Sequence, residues 1–132
     1  MADLHFEFVS PESVLFSGDV DQVDLPGAEG DMGILPGHAP IVTALRPGIV
    51  TVYREGTRLP IVVIGGFAEM SPAGLTVLAD RAMPRETFDA MMLENEIKDA
   101  EEDLADTTDQ HLRDKLAHRL EQLKALQAAL SQ

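Results

Sequence analysis

The chain has 132 residues, 45% of them hydrophobic and 25% charged, with a formal net charge of −13. That length and mix suit one soluble globular domain, or one domain with an appendage, with enough apolar residues for a real core. Cysteine and tryptophan are absent, which excludes disulfides, thiolate metal sites and a cysteine nucleophile and leaves a mostly aliphatic core. So acidic a surface disfavours nucleic acid and anionic lipid as direct partners and favours a basic protein surface. The run Ile61 to Ala68 contains two glycines and falls far short of the roughly 20 apolar residues of a membrane helix. MADLHFEF shows no basic start followed by an apolar stretch, so no signal peptide is expected.

Residues 1–84 read as strands. Leu4, Phe6 and Phe8 alternate with His5 and Glu7, the period-two pattern of a strand with one buried face. Val23 and Leu25 flank Asp24 in the same way. Residues 49–54, IVTVYR, are followed by the turn signal EGT and by PIVVI at 60–64, a buried strand returning. SPAG at 71–74 is a further turn, and LTVLA at 75–79 a further strand. Turn signals at this spacing predict an antiparallel sandwich or barrel, and the lack of intervening helical periodicity argues against a parallel α/β sheet.

One stretch invites a chemical reading. PGAEGDMGILPGHAP, residues 26–40, holds four of the ten glycines and three of the eight prolines. Its glycine spacing is not that of a phosphate loop, no G-K-[ST] follows, and Pro36 and Pro40 prevent the regular helix that a phosphate site needs. His38 has no H-x-x-x-H partner. His111 and His118 share a helix face but stand about 10.5 Å apart, too far for one ion. The expectation is that His38 makes a local hydrogen bond in a turn or belongs to an interface, and that the helix histidines are solvated. The serines lack any nucleophile context. The bottom-up reading is an interaction protein. A ligand-binding sandwich with a sensor hairpin and an enzyme using His38 are the alternatives.

After Pro84 glycine and proline disappear, so residues 85–132 form a separate helical region. Thr87 is the expected N-cap, with Asp89 in the first turn. Leu93, Ile97, Ala100 and Leu104 form one stripe. Phe88, Met91 and Met92 lie on roughly the opposite side and are expected to pack on the sandwich. Leu112, Leu116, Leu120, Leu123, Leu126 and Leu130 form a second, narrower stripe. The polar break ADTTDQ at 105–110 predicts that the two helices fold back antiparallel. Residues 88–106 carry eight acids and one base, and residues 112–130 four bases and two acids, so charge adds modestly to the pairing. Such a hairpin has a small core and should be the less stable part.

PGAEGDMGILPGHAP, followed by IVTALRPGIVTV, IGGFAEM and LTVLADRAM, closely resembles the ε subunit of bacterial F-type ATP synthases, equivalent to the mitochondrial δ subunit. The likeness runs the whole chain, from FVSPESVLFSG through the sandwich to the two helices. It implies an α+β fold: an antiparallel sandwich of about ten strands over 1–84 and a two-helix hairpin over 85–132. It also implies a non-catalytic central-stalk subunit that needs no cofactor and no metal. By the same likeness it links the γ subunit to the c-subunit ring, couples proton flow to ATP synthesis, and sits peripherally at the cytoplasmic face of the bacterial plasma membrane. Positions matching Ser10, His38 and Thr43 would face γ, and Gly30 and Asp31 the c ring. The hairpin, packed through Leu93, Ile97, Leu104, Leu112, Leu116, Leu120 and Leu123, would reach the α and β subunits and regulate ATP hydrolysis. Some bacterial members of the family bind ATP through I/L-D-x-x-R-A, and the matching stretch here, Phe88 to Leu93, is degenerate. Met92 replaces the arginine and Leu93 the alanine, so the phosphate loses its cation and ATP binding should be weak or absent.

Overall fold

The structure is a computed structural model and describes residues 3–131. Ten strands form two five-stranded sheets. Strands β1 (Leu4–Val9), β2 (Val14–Val20), β5 (Ile41–Ala44), β8 (Gly66–Ser71) and β9 (Gly74–Ala79) make the first sheet, in the order β2-β1-β9-β8-β5. Strands β3 (Gln22–Gly27), β4 (Gly30–Ile34), β6 (Gly48–Arg54), β7 (Thr57–Val63) and β10 (Ala82–Pro84) make the second, in the order β10-β7-β6-β3-β4. A short 3-10 turn at Arg85–Thr87 leads to α1 (Ala90–Asp106) and α2 (Gln110–Leu130).

Alternation sets the sandwich. Leu4, Phe6 and Phe8 from β1 point inward and meet Val23, Leu25, Val50, Val52, Ile61 and Val63 from the second sheet. The pairing is antiparallel with one exception: β1 and β9 run parallel, Phe6 opposite Leu75 and Phe8 opposite Val77. These strands are far apart in sequence, so no short crossover was there to signal the parallel register. The EGT signal resolves into a two-residue turn, Glu55–Gly56, with both residues at positive φ, 52° and 78°, the mirror-image turn that matches strand twist. Half of the glycine-rich stretch is itself strand. Residues 26–34 complete a hairpin in which Gly27 pairs with Gly30 and Pro26 with Asp31.

The helices cover the outer face of the second sheet. Val62 points away from the sandwich interior and packs with Leu93, Ile97, Ala100, Leu123 and Leu126. Ile64, Met83, Phe88, Leu120 and Leu130 are partly buried around them. Strand β7 is therefore buried on both faces, which explains the unbroken apolar run Ile61-Val62-Val63. Leu104 and Leu116 are half-buried along the helix seam. Leu112 lies outside it, 44% exposed, because the seam opens in the first turn of α2, beyond the reach of the sheet.

Two expectations about α1 fail. Asp89, not Thr87, is the N-cap: its carboxylate accepts from the Met91 N–H at 2.9 Å. Thr87 belongs to the preceding 3-10 turn, and its hydroxyl donates to the Pro84 carbonyl at 3.0 Å. Met91 and Met92 face solvent, 69% and 56% exposed, because the opposite stripe, Leu93, Ile97 and Ala100, packs on both the sheet and α2; of the three residues expected on the sandwich only Phe88 is packed there. At the far end Arg113 Nη1 donates to the carbonyls of Leu104 and Thr107 at 2.9 and 3.0 Å. These bonds satisfy carbonyl groups that the end of α1 leaves open.

Candidate interaction surface

Among the described residues no element covers the outer face of the first sheet, yet part of that face is apolar. Register places Ala44 opposite Phe67, Phe67 opposite Leu78, Leu78 opposite Val9 and Val9 opposite Val14. One apolar row thus crosses all five strands. Phe67 is 58% and Leu78 54% exposed. Val42 flanks the row, two residues along β5. An apolar row of this extent on an otherwise acidic chain has the chemistry that suits a protein–protein contact. Sequence reading passed over it. The available signal was apolar residues on both parities of β8 and β9: Ala68 and Met70 inward with Phe67 outward, and Leu75 and Val77 inward with Leu78 outward.

The residues singled out from the sequence fall around this face without forming one cluster. Ser10 follows β1 at the Val9 end of the face, in a turn closed by Ser10 N–H to Ser13 O at 2.9 Å. His38 lies at the opposite end, in a cleft with His5, Ser71 and Gly74. Five residues of strand separate the two ends, roughly 17 Å. The His38 Nδ1 lies 2.7 Å from the carbonyl of Ala39, the local turn hydrogen bond expected of it. Thr43 stands on edge strand β5, half-buried, with its hydroxyl donating to the Ala44 carbonyl at 3.1 Å.

Gly30 and Asp31 open β4 at the tip of the β3–β4 hairpin. The tip is tied to the other sheet: the Ala28 N–H donates to the Ala44 carbonyl at 2.9 Å, and Gly27 bridges Leu45. Arg46 completes the tie. Its Nε donates to the Gly27 carbonyl at 2.6 Å and its Nη2 pairs with the Asp31 carboxylate. Asp31 remains 87% exposed beyond that pair. Thr43 and the Gly30–Asp31 tip line one cleft between β4 and β5, so positions that the resemblance assigns to different partners are neighbours here. A third cleft, about 750 Å³, runs between Pro26, Arg46 and Gly48 and the small side chains Ala125, Ala128 and Ala129 of α2. Among the described residues no three His, Asp or Glu side chains converge as metal ligands, and no helix is long and apolar enough to cross a membrane.

Residues 3–85 match the model of the ATP synthase delta/epsilon chain β-sandwich domain. Over 131 residues the chain is 50% identical to the ATP synthase epsilon chain 1 of Nitrobacter hamburgensis, covering 99% of this chain and 96% of that one. Over 124 residues it is 52% identical to the ATP synthase epsilon chain of Parvibaculum lavamentivorans, covering 93% and 94%. Its fold is similar to a chain of the Euglena gracilis mitochondrial ATP synthase OSCP/F1/c-ring structure, with a TM-score of 0.78, 28% identity and coverage of 98% and 82%. A chain of the Tetrahymena thermophila mitochondrial ATP synthase central stalk/c-ring structure shares the fold alone, at a TM-score of 0.60 and 10% identity. With sandwich, hairpin and nearly full-length identity all in agreement, the chain belongs to the ATP synthase epsilon family.

Proposed function

We propose that this ATP synthase subunit is a non-catalytic part of the rotor, joining the γ subunit to the c-subunit ring and so coupling proton flow to ATP synthesis. The observation that carries the reading is the exposed apolar row from Ala44 through Phe67 and Leu78 to Val9 and Val14. We assign γ to that face, with Ser10 and His38 at its two ends and Thr43 on its edge strand. The tied and acidic tip at Gly30 and Asp31 is the element suited to the polar loops of the ring. Arg46 stiffens it from behind, so that a torque passing through the tip meets a braced hairpin rather than a free loop.

The helical hairpin, which packs on the sheet through a small cluster around Val62, would leave the sandwich, reach the α and β subunits and regulate ATP hydrolysis. In this role the protein is peripheral, held at the cytoplasmic face of the bacterial plasma membrane through its partners. Purification of the tagged full chain from its host tests the assignment. The γ and c subunits should co-purify, and Phe67→Asp should remove γ while leaving the circular dichroism spectrum unchanged. A folded Phe67→Asp chain that retains γ would refute the face assignment.

A further inference from the structure

Beside its apolar row the outer face of the first sheet carries a polar network. His5 and Glu7 follow one another on the outward side of β1, and Asp19 and Ser17 stand directly opposite them on β2. His5 Nδ1 lies 3.3 Å from Asp19 Oδ1, and His5 Nε2 lies 2.8 Å from Glu7 Oε1. The Ser17 hydroxyl donates to the same Glu7 oxygen at 2.8 Å. Both ring nitrogens thus face carboxylate oxygens. A neutral imidazole carries one N–H and would turn a lone pair toward the second carboxylate. Only the imidazolium satisfies both contacts.

The titration directions agree with the geometry. Hydrogen bonds to Glu7 and then Asp19 hold His5 above the ordinary imidazole value. The hydrogen bond from Ser17, and then that with His5, hold Glu7 below the ordinary carboxylate value. The remaining charges around the ring are mostly acidic. Glu69 on β8 lies in the same cross-strand row as Glu7, through Thr76 of β9. Asp3 and His38 line the cleft beside His5, where β9 contributes the uncharged Gly74.

We propose that partner binding to this face is linked to protonation of His5. The inference rests on the reading of the first sheet's outer face as the γ-binding surface. A partner that covers the face takes Glu7, and Asp19 and Glu69 around it, out of water. Desolvating carboxylates is costly unless a cation accompanies them. The imidazolium is that cation, centred between two of the three. The bound state therefore holds the His5 proton more tightly than the free chain does. Binding takes up a fraction of a proton, and affinity falls as pH rises through the His5 titration.

The test is calorimetric titration of the full chain with the γ subunit from about pH 6 to about pH 8.5, in two buffers of different ionisation heat. The expected result is net proton uptake and affinity about threefold weaker at the alkaline end, the scale an exposed charge network allows. His5→Gln should bind with one affinity across the range, and Glu7→Gln should move the midpoint to lower pH. Proton NMR of the His5 ring should show a higher titration midpoint in the complex than in the free chain. A slope that survives His5→Gln, or that disappears in His38→Gln, overturns the inference while leaving the docking face in place, as does a flat wild-type profile. Failure of the wild-type chain to bind γ at any pH overturns the docking reading and this inference with it.

Discussion

Arg81 Nη1, on the turn between β9 and β10, lies 3.0 Å from Glu96 Oε1 on α1. Among the described residues it is the one ion pair that joins the sandwich to the helices. The pair is partly exposed, at 41% and 26%, so water screens it and its contribution should lie within about 1 kcal/mol. Arg81→Ala should therefore raise hairpin opening by no more than about fivefold, measured as faster amide exchange in α1 and α2 with the strands unaffected. High salt should produce the same change in the wild-type chain and none in Arg81→Ala. If Arg81→Ala releases the helices completely, the ion pair dominates docking and the apolar seam does not.

The apolar seam is expected to dominate. Leu126 is fully buried in the cluster built on Val62, whereas Phe8 is fully buried between the two sheets. Leu126→Ala should cost about 2–5 kcal/mol, felt in the hairpin alone. Phe8→Ala should cost about 3–5 kcal/mol, and should lower the melting of the sandwich and release the helices with it. Hydrogen exchange resolved by segment separates the two outcomes. Equal loss of protection in strands and helices for Leu126→Ala would mean that the chain unfolds as one unit.

Much of this architecture was legible because one-sided burial writes a period into the chain. Leu4, Phe6 and Phe8 announce β1, and the leucines from Leu116 to Leu130 announce α2. The legible part ends where burial is two-sided or where a partner is absent. Phe67 and Leu78 break the alternation of β8 and β9 because their face is apolar too, and a broken alternation looks like noise in a single sequence. Met91 and Met92 look like core residues by type, but one stripe of α1, Leu93, Ile97 and Ala100, meets both the sheet and α2 and leaves them outside; the helix start was equally open, since Thr87 and Asp89 are both good caps. The Pro84 carbonyl decides between them by engaging Thr87. Arg46 escaped notice because its two partners, Gly27 and Asp31, are brought to it only by the β3–β4 hairpin.

Gly66 and Gly37 both hold a positive φ but differ in tolerance. At Gly66 (φ 129°) a Cβ would collide with the Leu78 carbonyl and lie 2.8 Å from the Ala79 Cα, both backbone atoms of the paired strand. At Gly37 (φ 84°) a Cβ would meet nothing within 4 Å, so only the left-handed backbone opposes it, at about 1–2 kcal/mol. Gly66→Ala should cost roughly 4 kcal/mol or more, enough to deplete the folded chain. Gly37→Ala should fold and melt only a few degrees lower. Thermal melts of the two variants, side by side, check the contrast. A stable Gly66→Ala chain would show that β8 and β9 can separate locally to accept the methyl group.

Nucleotide affinity follows from the first turn of α1. The Asp89 carboxylate accepts from the Met91 N–H, and Met92, at the position matched to the arginine of the degenerate motif, is exposed and apolar. A phosphate placed there would meet a carboxylate without a neighbouring guanidinium. Calorimetric titration with ATP should give no saturable heat in the micromolar range. A saturable micromolar isotherm would place the phosphate contacts on other cations of the helices.

The Tyr53 hydroxyl donates to Asp24 Oδ2 at 2.8 Å, and Gln22 Nε2 donates to the other oxygen of that carboxylate at 2.7 Å. The bond to Asp24 holds the phenol in its neutral form and places its ionisation above the ordinary tyrosine value. The folded chain therefore binds the phenolic proton more tightly than the unfolded chain does. The resulting stabilisation is fully present below about pH 10, the unfolded value, and is lost as pH rises through the folded value. Because the chain has a single tyrosine, phenolate absorbance near 295 nm reports this group alone. The absorbance should rise later in the native chain than in denaturant, and Asp24→Asn should bring the two curves closer, with burial of the ring keeping the native one higher. Tyr53→Phe should remove this component from the alkaline fall in stability. Coincident native and denatured titrations would mean that the Tyr53–Asp24 bond is open in solution.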